Sequence, residues 1–281
     1  MGLLLLLGTL QACTGIKLGY NNGVSLAAWW LDGHIDFTSA QSQQVRNDLR
    51  QLQLRNRQQD LPDYAQTLHH TQTLVAHDLD TEQVCVLGKT VRGYIDALLL
   101  DAEPAATTLV QSLTPAQINT LEQKYAKTNA EYRSDWLVLS LTEMHQKRFD
   151  KALERAEMVY GRMDATQKAL VRQQVVQSRF DPQQVQTERL RRQTDTLQTL
   201  RQLQRDPATT TADTHNAVRG LLERSMHSPQ PGYRSYAEAL ALQDCQSIAT
   251  VHNSTTPKQR EAAVRWLAGY EQSLRELAAQ R

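Results

Sequence analysis

The sequence predicts an all-α fold, a multi-helix bundle of amphipathic helices with no sheet. Three observations carry that reading. The 281 residues are rich in Gln, Leu, Ala and Arg and hold only 12 Gly and 8 Pro, a balance that favours long helices. Apolar residues recur every three or four positions, and no strand-like alternation of useful length interrupts them. A Thr or Asp followed three residues later by Gln returns at the starts of these segments. That is a capping box, in which the cap oxygen accepts a free backbone N–H and the Gln reaches back to the cap.

The chain opens on an uncharged apolar run, Met1 to Ala12, too short to span a bilayer as a helix. It reads as the end of a signal peptide, residues 1–12, with small Ala12 just before the cut. The usual Lys/Arg segment before it is missing, as a start codon assigned too far downstream would produce. Residues 13–37 then form a tether that carries Trp29 and Trp30. Tyr20, Asn21, Asn22 and Gly23 are its turn formers. The two indoles are expected to pin this segment onto the helical core; the other reading places them at a membrane interface.

Residues 38–281 are expected to form a single all-helical domain. Thr38-Ser39-Ala40-Gln41 opens a helix that runs to about Asp60, and Leu61-Pro62-Asp63 restarts it with Pro in the first turn. Asp80-Thr81-Glu82-Gln83 opens the next, with Val84, Leu87, Val91, Tyr94, Ile95 and Leu98 as an inner stripe. Glu103-Pro104-Ala105 breaks the pattern. Thr114-Pro115-Ala116-Gln117 then begins the longest run, predicted to continue to Gly161, a C-terminal cap. Asp164 and Asp181 start further helices, and Asp206-Pro207 stops the second of these. Thr209 to Asp213 is a polar joint, and Ser228 to Gly232 is the clearest loop. Thr256-Pro257-Lys258-Gln259 repeats the start signal once more.

The formal net charge of +1 gives no push toward nucleic acid, and an aromatic content of 6% argues against stacking platforms for single strands. No nucleophile elbow, P-loop or Gly-rich dinucleotide turn is present. The expectation is a protein that binds rather than catalyses, with no cofactor, metal or small-molecule substrate evident. His69, His70 and His77 are read as exposed residues of a polar face, because His70 and His77 stand too far apart to share one ion. Arg189, Arg191, Arg192 and Arg201 are read as a solvated face. Cys85 and Cys245 either form a disulfide or remain two separately buried thiols.

Leu10-Gln11-Ala12-Cys13 resembles the lipobox of bacterial lipoproteins, which implies a lipid on Cys13. Thr14 is not the Asp associated with inner-membrane retention, so the resemblance implies an outer-membrane anchor facing the periplasm. Tyr20-Asn21, Trp29-Trp30-Leu31-Asp32 and Asp36-Phe37-Thr38-x-x-Gln41 resemble the N-terminal signature of an uncharacterised family of proteobacterial all-helical lipoproteins. Leu113-Thr114-Pro115-Ala116-Gln117 is similar to the LTxxQ motif of Spy/CpxP-type periplasmic chaperones, and Phe37 to Gln41 is a looser copy. That second likeness implies client binding by an apolar strip bordered by cations. Tyr132, Trp136 and Leu139, with Lys147, Arg148 and Lys151 nearby, are the expected strip. A structural or assembly lipoprotein and a hydrolase are the competing classes.

Overall fold

The capping boxes set where each helix begins. The computed structural model describes residues 15–206 and 208–280; the apolar leader and Cys13 lie outside them. Residues 15–21 are helical and lead into α1 (Gly23–Ile35), α2 (Ser39–Gln59), α3 (Leu61–Val75), α4 (Thr81–Asp101), α5 (Glu103–Ser112) and α6 (Pro115–Tyr132). The second half holds α7 (Leu141–Tyr160), α8 (Ala165–Val176), α9 (Pro182–Arg205), α10 (Thr211–Met226), α11 (Pro231–Asn253) and α12 (Pro257–Ala278). No strand occurs among the described residues. The protein is all-α.

Thr38, Asp80, Thr114, Asp164 and Thr256 all close complete boxes with the Gln three residues on, and Asp181 caps α9 without one. One expectation needs correction here. The long run from Thr114 does not reach Gly161 unbroken. It ends at Tyr132, passes through one π-helical turn (Arg133–Leu137) and restarts when Ser140 caps α7 in a box with Glu143. A π turn disturbs the backbone ladder, and the Ser-x-x-Glu box then fixes the new helix axis. Glu103-Pro104 does break the pattern: α4 ends at Asp101 and α5 starts at Glu103, because Pro is tolerated in a first turn, where its missing N–H has no partner to lose.

The Gln residues do more than cap. In each box the Gln oxygen accepts from the cap N–H, which leaves its Nε2 group free to donate elsewhere. Gln41 and Gln117 use that group to donate to each other, at 3.2 and 2.6 Å. Gln41 also donates to the Ser112 carbonyl and Gln117 to that of Asp36, each at 2.9 Å. Gln167 and Gln259 repeat the arrangement, donating to each other at 2.8 and 3.0 Å, to Ser254 and to Arg162. All four carbonyls stand two residues before the partner's cap. A Glu in these positions could cap but could not donate. Gln is required.

These two amide pairs mark an internal repeat. α1 packs on α2 and α6, the helices joined by the first pair, and α7 packs on α8 and α12, the helices joined by the second. The match extends through both halves. α6 packs on α9 as α12 packs on α3, and α5 packs on α10 as α11 packs on α4. Single residues obey it too. Asn129 donates to Gln193 at 2.7 Å, and Gln72 donates to Glu271 at 2.6 Å; each pair stands at the same offsets from its helix caps. Among the described residues, α1–α6 and α7–α12 therefore form two halves, clasped by a pseudo-twofold exchange of contacts.

The two clasps differ in chemistry. Cys85 and Cys245 are bonded between α4 and α11, with Cα atoms 5.4 Å apart. Counted from the caps Asp80 and Thr256, the equivalent positions in the other clasp are His215 and Glu103. There the Glu103 carboxylate, 1% exposed, takes His215 Nε2 at 2.9 Å and Arg219 at 2.6 Å. One junction is covalent and the other ionic. The neighbours follow suit: Val84 and Ala249 are buried beside the disulfide, and Thr214 and Thr107 are buried at the matching places beside the ion pair.

Apolar burial is divided among separate clusters. One gathers Val75, Leu79, Val84, Ala249, Ala263 and Leu267 around the disulfide. A second holds Ile118, Leu121, Leu197 and Leu200 between α6 and α9, and a third holds Phe149, Met163, Val171 and Val175 between α7 and α8. His252 is fully buried near the first. Its Nε2 meets the His77 carbonyl at 2.7 Å and its Nδ1 meets the Tyr160 hydroxyl at 2.9 Å. A carbonyl can only accept, so Nε2 carries the proton and Nδ1 accepts from Tyr160. Burial, opposed by the His77 bond and aided by Arg260, lowers the His252 pKa below the ordinary histidine value. The unfolded chain therefore takes up a proton first as pH falls. Stability should drop as pH is lowered from about 6.5. Melting curves of the wild type and His252→Gln between neutral pH and pH of about 5 check this: the wild type should lose more of its stability over that interval.

Candidate binding surfaces

The strip expected from sequence is brought together, but its groups are turned on one another. Trp136, in the π turn, meets Phe180 edge-on with ring centroids 5.5 Å apart. Lys147 and Lys151 place their ammonium groups 4.7 and 5.1 Å from the Trp136 ring centroid. Arg148 lies over Phe180 at 4.6 Å and donates to the Val175 carbonyl and the Ser178 hydroxyl. Tyr132 donates to the Pro182 carbonyl at 3.1 Å, and Leu139 is half-buried in the bend before α7. This cluster braces the α6–α7 bend against the α8–α9 link. The pull of cations to the indole face is spent inside the fold.

The open apolar surface lies elsewhere. The α4 stripe read from sequence as an inner face is buried at Val84 but open further along: Val91 is 52% and Ile95 51% exposed, with Leu98 and Leu99 beside them. These four share one face of the helix, at i, i+4, i+7 and i+8. α11 packs on α4, joined to it by the Cys85–Cys245 bond and by Asn253 at Leu79. Arg92 donates to the carbonyl of Met226, at the end of α10, at 2.9 Å. Lys89 stands exposed on the same helix. Periodicity found the stripe. It could not show which of its residues are covered.

The tryptophans also depart from expectation. Trp29 is 73% and Trp30 57% exposed, so they do not pin α1 to the core. Ala28 and Ile35 do that, and Tyr20 anchors the preceding turn by donating to Asn56 at 3.0 Å. With Leu18 and Leu26, the indoles form an outward apolar face. Trp29, Trp30 and Ile35 border a cleft of about 690 Å³ between α1, α5, α6, α9 and α10. Its walls include Leu109, Val110, Leu113, Leu121, Tyr125 and Leu200, and Lys124 and Arg189 are its cations.

Among the described residues, no group of three His, Cys, Asp or Glu side chains is placed to hold a metal ion. His69 pairs with Glu271, and His70 lines a groove between α3 and α4. No helix of the described residues is long and apolar enough to cross a membrane.

The profile of a family of unknown function (DUF6279) matches residues 33–225, more than half of the chain. The chain belongs to DUF6279. No curated protein and no solved structure matches it. The part shared with DUF6279 begins within α1, after the tryptophans, and ends in α10. It includes the Gln41–Gln117 pair, the Glu103 clasp and the α4 stripe, and it stops short of Cys245 and the Gln259 box.

Proposed function

We propose that this DUF6279 protein is a lipid-anchored protein of the outer membrane, held at Cys13 and facing the periplasm, that acts by binding other proteins. The observation that carries the binding role is the open stripe Val91, Ile95, Leu98 and Leu99 on a helix otherwise held rigidly by a disulfide. Contact with such a face removes apolar surface from water on both partners, and Lys89 adds a cation for longer-range capture. The sharpest form of the reading is chaperone-like holding of partly unfolded clients, in keeping with the LTxxQ likeness. A structural envelope role is the second reading. The covalent and ionic clasps favour it, because they suit a stiff scaffold.

Light scattering separates the two. A urea-denatured client is diluted into buffer with the full chain kept unacylated by Cys13→Ser. Holding predicts suppressed aggregation at several-fold molar excess, and loss of that suppression with Ile95→Glu plus Leu98→Glu at unchanged helix content. No suppression, together with no binding of a hydrophobic dye, would leave the structural role in front.

A further inference from the structure

The internal repeat gives the cleft behind the tryptophans a counterpart in the other half, and the two are built differently. Counted from the helix caps, Lys124 corresponds to Trp266, Arg189 to Leu68 and Val110 to His252. In the counterpart, Leu68 and Trp266 pack on the apolar cluster around the disulfide, joined by Val159 and Tyr160 from the end of α7. The Tyr160 phenol is so enclosed that burial pushes its pKa up to about 12. That side is shut. In the first half a lysine and an arginine replace the Trp and Leu, α1 turns Trp29 and Trp30 outward, and the space remains open.

The charges of the open cleft are unbalanced. Arg189 donates to the Asn129 amide and stacks 5.7 Å from the Tyr132 ring centroid, so neither neighbour is anionic. The carboxylates nearest along the two helices are committed elsewhere: Glu122 to Arg201, and Glu188 to Arg191 and Arg192. Lys124 is half-buried and, among the described residues, has no carboxylate partner. Two cations within largely apolar walls complement an anion attached to an apolar body. The walls are helices whose backbone groups are already paired. An extended peptide in the cleft would leave its own amides unmatched, whereas an acyl chain has none to match. Exposed indoles at the mouth suit a ligand arriving from a membrane surface.

We propose that the cleft between α1, α5, α6 and α9 binds one single-chain anionic amphiphile, with its acyl chain against Leu109, Leu121 and Leu200 and its head group at Lys124 and Arg189. This site is separate from the α4 stripe and stands or falls independently of it. The test is titration calorimetry of the unacylated full chain with laurate below its micellar concentration, with dodecanol and dodecyltrimethylammonium as controls and an apolar hexapeptide as competitor. Saturable binding of one laurate per chain is expected, at least tenfold tighter than either control. Lys124→Glu with Arg189→Glu should weaken it by tenfold or more. Lys124→Trp, which copies the closed counterpart, should abolish it while the thermal melt stays cooperative. Equal binding of all three amphiphiles, laurate binding unaffected by the charge reversal, or displacement of laurate by the hexapeptide at equal concentration would each overturn the proposal.

Discussion

Replacing Cys85 and Cys245 together by Ala should remove about 5 kcal/mol of stability, the largest loss expected from any change that leaves the fold intact. The bond spans a sequence separation of 160. In the chain-entropy account, opening a loop of that length returns about 5 kcal/mol of conformational freedom to the unfolded state. The native state should survive the loss, because the same junction is held by other groups. Asn253 donates to the Leu79 carbonyl and accepts from the Leu79 N–H, and Arg260 pairs with Asp78. The apolar cluster around the bond persists as well, since Cys245 contributes only a small side chain to it. Urea denaturation of the oxidised wild type and the double variant, monitored by far-ultraviolet circular dichroism, measures the difference. A loss below about 1 kcal/mol would mean that the crosslink restrains little of the unfolded chain.

Much of this fold was legible in the sequence, and the reasons are local. Capping boxes are contiguous signals, and the starts at Thr38, Asp80, Thr114, Asp164 and Thr256 follow from them. The start at Ser140 is hidden in the sequence because Ser and Glu replace Thr or Asp and Gln, and because the apolar rhythm crosses the π turn with little interruption. As a local pattern the repeated boxes report caps alone. That is half of their role: the Gln oxygen caps, and the Gln nitrogen joins helices whose boxes lie 76 and 92 residues apart. No local pattern reports such a pairing.

The sites were harder to read for the same reason. The expected strip around Trp136 was recognised by composition, but whether a cation–indole cluster faces solvent or Phe180 depends on the α8–α9 link, far away in sequence. The α4 stripe has the period of a buried face, and which of its residues are covered depends on helices distant in sequence: Val84 is buried, Val91 and Ile95 are open. The cleft was invisible in sequence. Its signal is the substitution of Lys124 and Arg189 for Trp266 and Leu68 between two halves whose kinship rests on contacts. The sequence does hold one clue, the two T-P-x-Q boxes at Thr114 and Thr256, which mark equivalent points in the halves.

The cleft proposal depends on the claim that the molecule is two equivalent halves with one side left open, and a rescue by crosslinking is the sharpest test of that claim. If Glu103 and His215 occupy the places of Cys245 and Cys85, then Glu103→Cys with His215→Cys should form a new disulfide between α5 and α10. The substitutions are made in the Cys85→Ala, Cys245→Ala background, so that no native crosslink remains. Both helices already meet there, since Glu103 touches His215 and Arg219 across the junction. The new bond would close a loop of about 110 residues, for which the same entropy account gives roughly 4.7 kcal/mol, less the contribution of the ion pair it displaces. The expected result is a mass lower by two hydrogens, a peptide map linking the two positions, and recovery of most of the lost stability in urea denaturation. Free thiols after oxidation, or a bond that forms without recovering stability, would contradict the equivalence of the two halves.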